Sequence, residues 1–227
     1  MSESKGMDKE AIRETLAKNP LFKGLDPFYI DDFIPSGEVQ AWPKGTQVIS
    51  EGDSGEIVYF LLSGRAKVTL YGEDGREIVL AVLESGEMFG EMSIIDDKPR
   101  SANVEAVRDI ECLVLSRERF LGFLASHHRV YMMFLAHLTA RLREATRKIG
   151  GLALLDVCGR IAHTLIGMAK DGSRNAENVI EIERPTHEEL AAMIGSSREV
   201  VSRALKKMTQ EGYIKVEKQS ILLYMND

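Results

Sequence analysis

The sequence predicts an α+β fold made of a barrel of short antiparallel strands, one long helix, and a small helical domain that ends in a β-hairpin. Three observations support this prediction. Residues 37–115 hold short β-branched runs separated by turn glycines, which is typical of a β-roll or jelly-roll-like barrel. Residues 116–152 lack proline and keep a helical apolar period. Residues 186–224 read as a helix, a glycine turn, a second helix and two short strands.

The length and composition of the chain limit the number of domains and indicate the cellular compartment. A chain of 227 residues and 25.3 kDa is long enough for two domains joined by a helix, and we place the divisions at 1–115, 116–152 and 153–227. No apolar run approaches the roughly 20 residues that span a bilayer, and the N-terminus has no secretory apolar segment. We therefore expect a cytoplasmic protein without a membrane partner.

The two cysteines, Cys112 and Cys158, offer neither a disulfide framework nor a CxxC metal pair. We expect both to be buried free thiols, with no metal and no bound cofactor.

The N-terminal part begins with a short amphipathic helix over residues 8–18, ended by Asn19-Pro20. Five apolar runs then predict the strands of the barrel: 47–49, 57–62, 66–71, 78–83 and 110–115. Turn residues lie between them, and Glu73-Asp74-Gly75-Arg76 is a hairpin signal.

Residues 116–152 predict one long helix with Ser116 as its N-cap. Apolar side chains recur along it at alternating spacings of four and three residues, which is the a/d pattern of a coiled coil: Tyr131, Leu135, Leu138, Leu142, Ala145, Ile149 and Leu152. One alternative is that this stripe packs on the barrel. Three heptads exceed what a small barrel covers, so we predict a homodimer through residues 116–152.

The C-terminal part predicts a helix over 156–170, a polar loop over 168–178 and a strand over 179–182. Thr186 is the expected N-cap of the next helix, with Glu189 at the capping-box position.

Gly195 ends that helix, and Ser196 or Ser197 caps a second one that runs to about residue 211. Strands over 213–216 and 221–224 close the domain. Two helices joined by a glycine turn and followed by a hairpin are the pattern of a winged helix-turn-helix.

The run from Phe89 to Val104 places a glycine, a carboxylate and a guanidinium close together. Gly90 lets the backbone approach a ligand, and the short helix after it offers free N–H groups to a phosphate. Arg100 can hold a phosphodiester through two charge-assisted hydrogen bonds, and Ser101 adds a hydroxyl donor. Ionised Glu91 is an acceptor that suits a ribose 2′-OH. This combination predicts a cyclic-nucleotide site.

The second helix of the C-terminal pair carries a polar face at helical spacing, formed by Arg198, Glu199, Ser202 and Arg203. In helix-turn-helix proteins the start of this helix meets base edges, where arginine reads guanine and a carboxylate reads cytosine. The alternative is a solvated, salt-bridged face. Residues 151–227 hold 10 Lys+Arg against 11 Asp+Glu, so any DNA-binding patch is local.

Three blocks, in this order, resemble the catabolite activator (CRP/FNR) family. Phe-Gly-Glu followed after eight residues by Arg-Ser-Ala resembles its phosphate-binding cassette, residues 152–162 resemble its hinge, and residues 195–208 resemble its helix-turn-helix. The resemblance covers nearly the whole chain. It implies a ligand-gated transcription regulator that binds double-stranded DNA in the nucleoid, forms a parallel homodimer and contacts RNA polymerase.

For the ligand, the resemblance implies contacts from Phe89, Gly90, Glu91, Met92, Arg100, Ser101 and Ala102. Arg141 resembles an arginine that supports the cassette glutamate. Ala145 and Thr146 stand where a threonine and a serine meet adenine, so one hydroxyl is lost. Ala102 resembles cAMP-binding members, which makes cAMP the expected effector; cGMP, cyclic di-GMP or activity without a ligand remain alternatives.

For DNA, Arg198, Glu199 and Arg203 resemble the residues that read a palindromic TGTGA-like half-site. Thr186, Ser196, Ser197, Ser202 and Lys206 complete the predicted contact set. The chain departs from the family's usual phosphate contacts at His187, Glu188 and Val200, which bears on affinity more than on base preference.

The sequence also contains residues that bear on three other functions. A haem or gas sensor would use His127, His128 or His137, although adjacent histidines at a helix start are usually solvated. A nucleotide-binding module whose C-terminal domain contacts protein is a further alternative. An enzyme has little support, because the sequence contains no Walker loop, no metal-ligand cluster and no activated nucleophile at recognisable spacing.

Overall fold

The computed structural model describes residues 8–169 and 179–224, apart from the side chains of residues 152 and 153. The chain divides into two compact units. One comprises Met1–Leu70 and Leu80–Leu142, and the other comprises Tyr71–Val79 and Arg143–Asp227. Within the described ranges, no helix is long and apolar enough to cross a membrane.

The described part of the chain begins with two short helices, α1 (Lys9–Leu16) and α2 (Phe28–Phe33), and a 3-10 turn at Ile34–Ser36. The predicted N-terminal helix is thus confirmed, whereas α2 was not predicted. Buried Asn19 donates from Nδ2 to the Gly86 carbonyl at 2.7 Å and accepts from the Leu21 amide. This side chain fixes the end of the first helix to a turn of the barrel.

The β-roll contains eight strands: β1 (Glu38–Trp42), β2 (Gln47–Ile49), β3 (Ile57–Ser63), β4 (Arg65–Tyr71), β5 (Glu77–Glu84), β6 (Met88–Phe89), β7 (Asn103–Ala106) and β8 (Ile110–Ser116). They form two four-stranded sheets with the orders β1-β8-β3-β6 and β2-β7-β4-β5. All five predicted strands are present. A six-residue helix, α3 (Glu91–Asp96), interrupts the strands between β6 and β7.

An aromatic cluster closes one side of the roll. The Phe33 ring lies 4.9 Å from Phe60 and 4.8 Å from Phe123, measured between centroids. Helix α4 (Arg117–Ser126) contributes Phe120 and Phe123 to this core, and the Ser116 side chain accepts from the Arg119 amide as its N-cap.

The prediction of one helix over 116–152 is wrong, because the helix is interrupted at His127. That residue has φ −126° and ψ 81°, and a second helix, α5 (His128–Leu154), begins after it. The His127 ring stacks on Phe123 at 4.3 Å, and its Nδ1 lies 3.0 Å from the Phe123 carbonyl oxygen. Its Nε2 lies 3.3 Å from Asp32 Oδ2. The break thus coincides with a local contact to Phe123 and a tertiary contact to Asp32.

The C-terminal residues form α6 (Val157–Met168), β9 (Val179–Glu183), α7 (His187–Ile194), α8 (Arg198–Gln210), β10 (Ile214–Val216) and β11 (Ser220–Tyr224). The strands pair antiparallel in the order β10-β11-β9. Buried side chains of α6, α7, α8 and the sheet share one core. This is a winged helix-turn-helix, as predicted; most of the predicted polar loop over 168–178 lies outside the described residues.

Candidate functional site

The cassette is built on a left-handed glycine. Gly90 follows β6 with φ 80° and is the N-cap of α3, which ends at Asp97 with φ 59°. A Cβ on Gly90 would lie 2.7 Å from Arg100 Nη1 and 3.1 Å from the Ile57 carbonyl oxygen. Both the dihedral angle and the missing side chain are therefore needed at this position. The stacked rings of Phe89 and Tyr59, 4.8 Å apart, hold β6 against β3.

Arg100 is buried at the same place, with 7% of its surface exposed. Its Nη1 donates to the Gly90 carbonyl at 2.7 Å and its Nη2 to the Ile57 carbonyl at 2.8 Å. Burial lowers the pKa of this guanidinium, and the nearby Tyr59 and Glu91 act in the opposite direction. Among the described residues, no carboxylate forms an ion pair with it. A buried cation without a carboxylate partner attracts an anion.

Glu91 is 2% exposed, and its Oε1 accepts from Arg141 Nη1 at 2.5 Å. Arg141 is the residue that the family resemblance assigned to this support. Glu91 and Arg100 do not form a surface ion pair with each other, because both are buried and Glu91 pairs with Arg141.

One cavity of about 60 Å³ brings most of these side chains together. Eight of the ten predicted ligand residues line it: Phe89, Gly90, Glu91, Met92, Arg100, Ser101, Ala102 and Arg141. The Ser101 hydroxyl lies in this cavity and donates to the Met92 sulfur, 3.6 Å away. Ligand pockets usually measure about 300–1,000 Å³, so a nucleotide requires this cavity to widen.

The helix-turn-helix forms with the caps that the sequence predicts. Thr186 and Glu189 make a reciprocal capping box at the start of α7. Gly195 ends α7 in the left-handed region, with φ 62°, and the Ser196 amide donates to the Ala191 carbonyl at 2.9 Å. Ser197, rather than Ser196, caps α8, accepting from the Val200 amide at 3.4 Å.

Helix α8 has a buried face and a charged exposed face. Val201, Ala204, Leu205 and Met208 enter the core. The exposed face carries the predicted DNA contacts Arg198, Glu199, Ser202, Arg203 and Lys206. Within the described ranges, neither Arg198 nor Arg203 has an ion-pair partner, so both guanidinium groups are available to an external acceptor.

Comparison with known proteins places both units in one family. Residues 39–127 match the family model of the cyclic nucleotide-binding domain, and residues 159–225 match that of the Crp-like helix-turn-helix domain. The cyclic AMP receptor protein of Thermus thermophilus is 34% identical over 87% of this chain and 89% of that protein. The chain belongs to the CRP/FNR family of transcription regulators.

Two further relatives of this CRP/FNR protein differ in the ligand that their names give. The CRP-like cAMP-activated global transcriptional regulator of Mycobacterium tuberculosis is 29% identical over 92% of this chain and 94% of its own length. The c-di-GMP responsive global regulator CLP of Xanthomonas campestris is similar in structure, with a TM-score of 0.76 and 29% identity over 88% of this chain and 100% of that one.

Two predicted ligand residues of this CRP/FNR protein do not line the cavity. Ala145 and Thr146 lie on α5 beyond Arg141, and both are exposed. Their role in binding stays a prediction.

The sequence interpretation missed four lining residues, Ile49, Val68, Ser93 and Val104. Three of them are inward-facing positions of β2, β4 and β7, and Ser93 lies in α3. The period-2 pattern of the strands could have indicated the first two, whereas β7 was not predicted.

His137 lies one helical turn before Arg141 on α5, and it is half-buried. Burial lowers the pKa of its imidazole below 6.5, and the positive charge of Arg141 adds to this effect. A neutral imidazole at this position avoids repulsion with the positive charge of Arg141.

Proposed function

We propose that this protein is a homodimeric transcription regulator that binds a cyclic mononucleotide, cAMP, and then reads a palindromic TGTGA-like operator. The observation that carries the proposal is the cavity in which buried Arg100, without a carboxylate partner, meets Ser101 and the Arg141-supported Glu91. This set supplies a cation and a hydroxyl for a phosphodiester, and an acceptor for a ribose hydroxyl.

The ligand phosphate binds to Arg100 and Ser101. The guanidinium has five N–H donors, of which two are aimed at the Gly90 and Ile57 carbonyls, so the others remain for phosphate oxygens. The Ser101 hydroxyl leaves the weak sulfur acceptor of Met92. Glu91 uses Oε1 for Arg141 and offers its second oxygen to the ribose 2′-OH.

The base is read by Ala145 and Thr146 on α5 of the two protomers. The names of the Thermus and Mycobacterium relatives favour cAMP. The Xanthomonas relative, which is named as responsive to c-di-GMP, makes cyclic di-GMP the second candidate. Ala145 lacks the hydroxyl of a threonine, which weakens the binding of adenine by about 1 kcal/mol. The expected difference in affinity between cAMP and cyclic di-GMP is therefore smaller.

Dimerisation uses the apolar stripe of α5. Tyr131, Leu135, Leu142 and Ile149 are all exposed in the single chain, and the last two are 68% and 67% exposed. Two such stripes, paired in parallel, would bury these side chains as a coiled-coil seam.

DNA recognition follows from the dimer. Two copies of α8 would enter successive major grooves, with half-sites about one helical turn apart. Arg198 and Arg203 would grip guanine, and Glu199 would accept from cytosine N4. Nucleotide binding changes the register or length of the helix around residues 149–156, near the junction of α5 and α6, and thereby sets the spacing. RNA polymerase is the proposed protein partner.

Isothermal titration calorimetry with cAMP, cGMP and cyclic di-GMP tests the ligand assignment. We expect saturable binding of cAMP and its loss in Arg100→Leu. Arg108→Leu, which replaces an exposed arginine of the same unit, is the control and should bind as the wild type does. Circular dichroism and thermal melts confirm that each variant is folded. Unchanged cAMP affinity in folded Arg100→Leu would overturn the proposal. Binding of cyclic di-GMP alone would mean that cyclic di-GMP, and not cAMP, is the ligand.

A further inference from the structure

Met92 combines exposure with a position in the ligand cavity. The residue is 53% exposed and lines the cavity, so a small oxidant in solvent has access to its side chain. Its sulfur accepts the Ser101 hydroxyl at 3.6 Å. A thioether is a weak acceptor, and an incoming phosphate oxygen can take over this hydroxyl easily.

We propose that Met92 is a redox modification site, whose oxidation by hydrogen peroxide weakens the binding of a phosphodiester ligand in this cavity; this inference rests on the proposed function. In the reaction the O–O bond of peroxide breaks and an S–O bond forms. The sulfur is oxidised by two electrons, the second peroxide oxygen leaves as water, and the product is methionine sulfoxide.

The sulfoxide changes the cavity in two ways. Its oxygen is a strong hydrogen-bond acceptor, whereas the thioether is a weak one. The Ser101 hydroxyl therefore stays hydrogen-bonded to the sulfoxide and is not available to the ligand phosphate. That oxygen is also the negative end of a dipole, placed beside the site of an anion. The binding penalty follows from both effects, while Arg100 keeps its contacts to Gly90 and Ile57.

The other described sulfur atoms of the first unit are buried, half-buried or away from the cavity. Met88 and Cys112 are buried, and burial raises the pKa of the Cys112 thiol to about 12, so it forms almost no reactive thiolate. Met132, on α5, is 50% exposed and does not line the cavity. It therefore serves as the matched control.

The test treats the full chain with hydrogen peroxide, stops the reaction with catalase, and adds dithiothreitol. Dithiothreitol restores cysteine sulfenic acids and disulfides but leaves methionine sulfoxide. Peptide mass spectrometry gives the fraction of Met92 oxidised, and calorimetry with cAMP gives the affinity. We expect the dissociation constant to rise about fivefold and to recover after treatment with methionine sulfoxide reductases.

Variants assign the effect to one residue. Met92→Leu, compared with itself before and after peroxide, should show no change, whereas Met132→Leu should lose affinity as the wild type does. Met92→Gln, with a permanent acceptor in place of the sulfur, should bind cAMP about fivefold more weakly than Met92→Leu. Saturating cAMP should slow Met92 oxidation, because binding and modification are reciprocally linked.

Three outcomes would overturn the inference: Met92 that resists peroxide, oxidised Met92 with unchanged affinity, or an equal loss of affinity in Met92→Leu. These differ from a failure of the proposed function. In that case the untreated protein would bind neither cAMP nor cyclic di-GMP, and the inference would also be wrong. If the protein binds only cyclic di-GMP, the same measurements are made with that ligand.

Discussion

The Arg141 guanidinium on α5 donates to Oε1 of buried Glu91 on α3, 2.5 Å away. Within the N-terminal unit, this ion pair ties the helix with the apolar stripe to the cassette. A ligand that contacts Glu91 would therefore be coupled to α5 through the Arg141 side chain. The Glu91 carboxylate is nearly inaccessible to solvent, so it depends on Arg141 for compensation of its charge.

Replacing Arg141 by leucine should lower the free energy of unfolding by about 2 kcal/mol, because Glu91 is left as a buried charge without its partner. Urea denaturation measures this loss. Arg143→Leu replaces an exposed arginine two residues later and should leave the midpoint unchanged. Adding Glu91→Gln to Arg141→Leu should recover part of the stability; a double variant less stable than Arg141→Leu alone would contradict the account.

His137 should make the protein less stable in mild acid. Its pKa is lowered, by burial first and by Arg141 second, from the ordinary value of 6.5. Below that pH the unfolded chain binds a proton that the folded chain resists, so this contribution is complete above 6.5 and is lost as the pH falls.

Urea midpoints at about pH 7.5 and about pH 5.5 test this expectation. The loss of stability between them should be smaller in His137→Gln than in the wild type. His163→Gln, which replaces an exposed histidine of α6, should keep the wild-type loss. An identical loss in all three proteins would rule out His137 as its source.

Of the two cysteines, Cys112 should be unreactive in the folded protein. It is fully buried, and burial raises the pKa of its thiol to about 12. Cys158 is only partly buried. Titration with a thiol reagent should therefore label Cys158 first, and Cys112 only after denaturation. Labelling of both cysteines at equal rates in the native protein would contradict the burial of Cys112.

Thr186→Ala should destabilise the C-terminal unit by about 1 kcal/mol. It removes the hydroxyl that accepts a hydrogen bond from the Glu189 amide, with a nitrogen–oxygen distance of 3.1 Å. Chemical denaturation, followed by a probe in this unit, measures the effect. Ser202→Ala, on the exposed face of α8, is the control for stability and should be neutral. A neutral Thr186→Ala would mean that the capping box does not contribute to folding.

The sequence predicted best the features that depend on local chemistry. Thr186 and Glu189 cap a helix within one turn, and Gly195 ends that helix. Each depends on neighbours in the chain, so a single sequence contains the signal. The cassette residues also lie within one short run, which is why most of the lining of the cavity could be named.

Features decided by tertiary contacts were missed. The break at His127 coincides with a contact to Asp32, which is distant in the sequence and which the helical period of residues 116–152 does not reveal. Strand β1 is mostly exposed along its length, and β6 has only two residues, so neither carries an apolar alternation. Both are strands because β8 and β3 pair with them.

The most direct test of the account is fluorescence anisotropy of a labelled TGTGA-N6-TCACA duplex, titrated with the protein with and without cAMP at fixed salt. We expect saturation at low protein concentration only with cAMP, and no cAMP response in Arg100→Leu. Arg203→Leu should fail to bind the duplex even with cAMP. Equal binding with and without cAMP would contradict the proposed gating. The proposed contact between Ala145 and the base would then be the first to test.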